Sequence, residues 1–159
     1  MRALGRVASE PARIYLVGGA TAVIEGWRDT TVDVDLRIEP DHELLRHLPA
    51  LKDRLDVNIE LASPADFLPE LPNWRERSRF LFREGPIDVF HYDMYSQVLA
   101  KLERGFAQDL ADVDAMIASA NVDPAALADL FVAIEPDLYR FPAVEPDVLR
   151  AAVLARLAR

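Results

Sequence analysis

Residues 14–38, IYLVGGATAVIEGWRDTTVDVDLRI, constrain this chain more than any other stretch. An apolar run, Ile14 to Val17, meets two glycines, Gly18 and Gly19. A short apolar-rich segment follows from Ala20 to Trp27, then a polar break at Arg28, Asp29 and Thr30. Alternation from Thr31 to Ile38 after that break predicts a turn and then a strand. Side chains two apart in a strand share a face. Asp33 and Asp35 therefore lie side by side, with Val32, Val34, Leu36 and Ile38 facing the other way. Adjacent carboxylates repel unless a cation sits between them or one takes a proton. The pair is unfavourable for stability and well suited to a divalent metal, which takes hard oxygen ligands.

The glycines end the first strand. Glycine permits a tight turn and lets a ligand approach the backbone closely. A short helix over 20–26 would start there, its N–H groups facing any phosphate placed nearby. A plain strand-to-helix turn without a ligand fits the same two residues.

The chain has 159 residues and no cysteine. That excludes disulfides and thiolate metal sites and fits a reducing cytoplasm. The N-terminus lacks the continuous apolar core of a signal peptide, and no apolar run approaches a membrane span. Net charge is −9, so a whole-protein basic footprint for nucleic acid is missing. An acidic balance equally suits a nucleotide that arrives with its metal ion.

Further along, residues 1–12 read as a short helix or arm ending at Pro11. Pro40 and Asp41 mark a stop and a helix cap. Leu44, Leu45, Leu48, Leu51 and Leu55 give helical spacing from His42 to Leu55, shortened, kinked or broken by Pro49. His42 and His47, five apart, do not form a ligand pair on one helical face. Residues 56–61 form a strand, with Val57, Ile59 and Leu61 on one face and Asp56, Asn58 and Glu60 on the other. Ser63 and Pro64 open a short helix, and prolines 69 and 72 make a loop.

Arg75, Arg77, Arg79 and Arg83 form a basic run that suits either a solvated hairpin edge or a phosphate-facing cluster. The hairpin itself spans 78–83 and 86–92 around Glu84-Gly85. Asp88, between Ile87 and Val89, is a rival to Glu60 as a third carboxylate. Asp93 caps a helix over 94–104 that Gly105 closes. Lys101 and Arg104 on it point to one side. Further helices are expected at 108–119, 124–134 and 146–157. The reading gives a core at 1–92 and a helical region at 93–159 packed on it as one compact unit.

Gly18-Gly19, a spacer of thirteen residues and Asp33-Val34-Asp35 resemble the signature of the nucleotidyltransferase superfamily, the DNA-polymerase-beta-like fold. The segment Lys101, Arg104, Asp109, Asp112 resembles the later motif of small nucleotidyltransferases of the AbiEii and MenT toxin type. The chain departs from the pattern at Ala20, where relatives carry Ser or Thr, leaving Thr21 as the nearest hydroxyl. It departs again at Gln108, where a basic residue is expected.

The resemblance implies an α+β fold: a mixed sheet of about five strands flanked by helices, with a C-terminal helical part. It implies Mg²⁺ or Mn²⁺ on Asp33, Asp35 and Glu60, and a nucleoside triphosphate cradled by Gly18, Gly19, Thr21 and Lys101. Catalysis would rest on Asp33, Asp35, Glu60, Lys101 and Asp109. The activity implied is transfer of a nucleoside monophosphate to an RNA, tRNA or protein hydroxyl, with a cognate antitoxin as a further partner. The alternatives are a catalytically inactive nucleotidyltransferase fold serving as a binding or antitoxin-type partner, and an unrelated α/β domain whose acid strand is structural or binds Ca²⁺.

Overall fold

The computed structural model describes residues 1–40 and 43–157. The expected cap at Asp41 and the helix start at His42 lie outside the described residues. Five strands are present: β1 (Ala12–Val17), β2 (Asp33–Glu39), β3 (Asn58–Leu61), β4 (Arg79–Glu84) and β5 (Ile87–His91). They form one mixed sheet in the order β3-β2-β1-β5-β4. β1 is antiparallel to β2 and parallel to β5, β2 is parallel to β3, and β4 and β5 make the expected antiparallel hairpin. The helices are α1 (Arg2–Val7), α2 (Gly18–Ile24), α3 (Leu48–Leu55), α4 (Trp74–Arg77), α5 (Met94–Arg104), α6 (Ala107–Ala118), α7 (Pro124–Ile134) and α8 (Pro146–Leu157). None is long and apolar enough to cross a membrane among the described residues.

The residues divide into two units. The first, residues 1–63 and 78–92, holds the whole sheet. Ile14 and Leu16 of β1, Leu36 and Ile38 of β2, and Ile87 and Val89 of β5 fill one sheet face together with Leu44, Leu48 and Leu51. Each fully buried Leu or Ile stabilises by about 1.5–3 kcal/mol relative to exposure. A slip of β2 by one residue would turn Leu36 and Ile38 outward and Asp35 and Arg37 inward, so this core fixes the register. Pro49 acts as the sequence suggests. A 3₁₀ turn at Leu44–His47 stops and α3 begins afresh at Leu48, with proline in its first turn, where the missing N–H leaves no bond unmade.

The second unit, residues 64–77 and 93–159, is helical. Asp93 caps α5 by accepting a hydrogen bond from the Ser96 backbone N–H, and Gly105 closes it in the left-handed conformation at φ +68°. Asp93 also receives both Nε and Nη2 of Arg77, at 3.0 and 2.9 Å. That fork ties residues 64–77 to α5, so the division differs from the expected one over this segment. The sequence reading opened a short helix at Ser63 and Pro64, where a 3₁₀ turn spans Pro64–Asp66, and made the rest a loop. The short α4 forms there around buried Trp74, with the Arg75 guanidinium stacked over its ring at 4.4 Å.

Both glycines of the turn after β1 are required by their surroundings. Gly18 has φ +58°, and a Cβ there would lie 3.0 Å from Asp35 Oδ2. A Cβ on Gly19 would overlap Thr31 Oγ1. We expect Gly19→Ala to destabilise the protein by about 1–3 kcal/mol, as overpacking does. Adding Thr31→Ala, which deletes the clashing hydroxyl, should return part of that loss in a double-mutant thermal-melt cycle.

Candidate active site

The register of the sheet decides which acids meet. Asp33 of β2 stands opposite Asn58 of β3, and Asp35 stands opposite Glu60. On its other side Asp35 is opposite Val17, the last residue before the glycine turn. Asp33, Asp35 and Glu60 thus share one face of two neighbouring parallel strands beside Gly18. Asp33 and Asp35 are half-buried, and Asn58 and Glu60 are exposed. Asn58, which the sequence reading gave no role, stands between the acids. Its Nδ2 donates to Asp33 Oδ1 at 2.6 Å and to Glu60 Oε1 at 2.9 Å.

Asp88 is placed elsewhere. It pairs in register with Arg13, four positions along β1 from Val17, and its carboxylate accepts Nε and Nη2 of Arg83 at 2.5 and 2.9 Å. The Arg83 hydrogen bonds hold the Asp88 carboxyl below its ordinary range. Of the two candidates for a third carboxylate, Glu60 is the one beside the aspartates. The other arginines of the basic run also have protein partners: Arg75 stacks on Trp74, Arg77 joins Asp93, and Arg79 joins Glu25.

Thr21 is not at the surface of the turn. Its side chain is fully buried, and its hydroxyl donates to the Leu16 carbonyl at 3.1 Å. The expectation that it supplies the missing hydroxyl to a phosphate is corrected on that ground. Helix α2 begins at Gly18, so Thr21 is its fourth residue and turns inward. There it meets His91, the fully buried last residue of β5. His91 Nδ1 lies 3.2 Å from Thr21 Oγ1, and Nε2 lies 2.9 Å from Glu25 Oε1. Burial pushes the His91 pKa below its ordinary value of 6.5; the Glu25 carboxylate opposes this and Arg79 adds to it. This network escaped the sequence reading because its members lie far apart in the chain.

Lys101 and Asp109 belong to the second unit. Lys101 is buried, its Nζ 2.6 Å from Asp112 Oδ2 and 3.3 Å from Asp109 Oδ1. Arg104 completes the group with Nε and Nη2 on Asp109 at 2.9 and 2.5 Å. Burial raises the Asp109 pKa, but the Arg104 hydrogen bonds and the Lys101 charge outweigh it, leaving the carboxyl below its ordinary range.

The donor set of the first unit fits Mg²⁺ or Mn²⁺ in kind, because its carboxylates offer only hard oxygens. Among the described residues, no three His, Cys, Asp or Glu side chains are gathered as a metal cluster. Mg²⁺ often takes one or two carboxylates and completes its shell with water and substrate phosphates. The Asp33–Asp35 pair is protein enough for that mode.

A glycine turn set against an Asp-x-Asp strand in a five-stranded mixed sheet defines a nucleotidyltransferase-type domain. The chain belongs to the family of nucleotidyltransferases of unknown function (DUF6036), whose model matches residues 3–143. No curated protein and no solved structure matched it.

Two stability effects follow from the buried charges. Lys101→Met leaves Asp112 without its ammonium, and breaking a buried pair in this way costs about 3–5 kcal/mol; thermal melting should show the loss. For His91, the folded pKa lies below the unfolded one, so the unfolded chain takes up the proton first. Stability is then complete above pH 6.5 and declines as pH falls below it. His91→Gln should flatten that slope in melts taken from about pH 7 to about pH 5.5, above the range where carboxylates titrate.

Proposed function

We propose that the protein transfers a nucleoside monophosphate from a nucleoside triphosphate to an acceptor hydroxyl. The acceptor oxygen bonds to the α-phosphorus, the bond from that phosphorus to the bridging oxygen breaks, and pyrophosphate leaves. The observation that carries this reading is the placement of Asp35 next to the glycine turn, with Asp33 beside it on the same strand face. Asp33 and Asp35 would hold Mg²⁺ or Mn²⁺, which when bound offsets the charge of the triphosphate oxygens.

The remaining parts fall to the chain itself. The backbone of Gly18 and Gly19 would cradle the phosphates. Glu60 completes the acidic group and accepts the proton released by the acceptor hydroxyl. Lys101 enters as the resemblance places it, as a cation toward phosphate, with Asp109 orienting it. The 3.3 Å contact between those two supports the orienting role. Candidate acceptors are an RNA or tRNA end and a protein side chain, and the chain would then be the toxin of a toxin–antitoxin pair.

A second reading draws on one observation, the lack of a gathered three-donor cluster among the described residues. It makes the chain an inactive nucleotidyltransferase fold that binds a partner, antitoxin-like. The two separate in one experiment. The protein is incubated with each labelled nucleoside triphosphate, Mn²⁺ or Mg²⁺, and total cellular RNA or protein. We expect label to appear in one acceptor fraction and Asp33→Asn to reduce it at least about 100-fold with an unchanged thermal melt, as loss of a metal ligand does. Full transfer by that variant would overturn the assignment, and nucleotide binding with no transfer to any acceptor would favour the second reading.

A further inference from the structure

The Asn58 amide occupies the position between Asp33 and Glu60 that a cation would be expected to fill. A primary amide has two N–H donors, and here one goes to each carboxylate, at 2.6 and 2.9 Å. Hydrogen bonds to ionised groups are stronger than neutral ones. Asn58 itself is exposed and lies on β3, which pairs with β2 alone at the edge of the sheet. Its orientation is therefore set by the two carboxylates and not by packing in a core.

We propose that Asn58 is a positioning residue that stands in for a cation between Asp33 and Glu60, so that the site takes up its divalent ion with the nucleotide and binds the free ion weakly. The inference rests on the metal role given to Asp33 under the proposed function and extends it to Glu60, which the resemblance also counts among the ligands. Before an ion can draw Asp33 and Glu60 to itself, it must displace both amide hydrogen bonds. A free ion gains too little from an exposed acid group to do so readily. An ion that arrives on a triphosphate brings several phosphate oxygens of its own and needs only one or two protein carboxylates. The amide also relieves carboxylate repulsion while the site waits, which a hydrophobic or absent side chain would not do.

The test is titration of Mn²⁺ into the full chain, followed by electron paramagnetic resonance and by calorimetry, with and without a non-hydrolysable nucleoside triphosphate. Wild type, Asn58→Ala, Asn58→Asp and Asp33→Asn are compared. Wild type should bind Mn²⁺ alone weakly and at least about tenfold tighter with nucleotide present. Asn58→Ala should bind free Mn²⁺ about tenfold tighter than wild type, because the competing hydrogen bonds are gone. Asn58→Asp, which adds a fourth carboxylate, should bind tighter still and melt at a lower temperature without metal. A residue that merely braced the strand edge would lower the melting temperature without tightening ion binding. Unchanged or weaker free-ion binding in both Asn58 variants, while Asp33→Asn abolishes it, would overturn this inference and leave the acid site standing. If wild type and Asp33→Asn bind Mn²⁺ alike with nucleotide present, the acid-site reading itself fails and this inference falls with it.

Discussion

The structure of the first unit depends on the room left by two missing side chains. At Gly18 the backbone comes so near β2 that an added Cβ would touch the Asp35 carboxylate at 3.0 Å. At Gly19 the same is true of Thr31, whose hydroxyl in turn donates to the Asp33 carbonyl at 2.9 Å. The turn therefore packs against both ends of the segment that delivers the aspartates. Any larger residue would have to push the acid end of β2 away from the end of β1. The Gly-Gly spacing to Asp-x-Asp is thus a packing requirement before it is a chemical one. The closeness it permits is also what would bring a phosphate on the turn within reach of an ion on the aspartates.

Two carboxylates stay side by side only where a stronger force opposes their repulsion. Neighbours two apart on a strand are about 6.7 Å apart. Their repulsion is then about 0.6 kcal/mol in water and about 2.5 kcal/mol at the effective dielectric of a protein surface. On the opposite face of the same strand, Leu36 and Ile38 are buried with relative exposures of 0% and 5%. At about 1.5–3 kcal/mol each, those two alone match or exceed the repulsion. The hydrophobic face wins the register, and the acids go where it puts them. Beside that pair, Asn58 adds hydrogen bonds to Asp33 and Glu60.

What the sequence revealed and what it hid divide along local and non-local lines. The alternation around Asp33, the break at Pro49, the hairpin around Glu84-Gly85 and the caps Asp93 and Gly105 are all set by neighbours within a few residues, and the reading of each matches the fold. The choice between Glu60 and Asp88 was open in the sequence because it depends on which strand lies beside β2. That order follows from the whole sheet. Asn58 was hidden for the same reason: its partner Asp33 is 25 residues away. His91 looked like one more hairpin residue, since Glu25 and Thr21 lie 66 and 70 residues before it. Thr21 was named as the nearest hydroxyl in sequence to Ala20, and sequence distance does not tell which way a side chain points. On α2, which begins at Gly18, Thr21 faces the core while Ala20 precedes it.

The charges around Lys101 bear on how the reaction could be balanced. Lys101 and Arg104 contribute two positive charges, and Asp109 and Asp112 two negative ones, so the group they form is formally neutral. Two of the three ammonium donors of Lys101 go to carboxylates. Such a lysine is held in place by its partners, which favours preorganisation. The first unit adds more negative charge through Asp33, Asp35 and Glu60. In a protein with a net charge of −9, a triphosphate would gain from bringing part of its compensating charge with it. A divalent ion carried on the phosphates meets that need without any change in the protein. Such an ion would suit an acid pair in which Asp33 is already hydrogen-bonded to an amide.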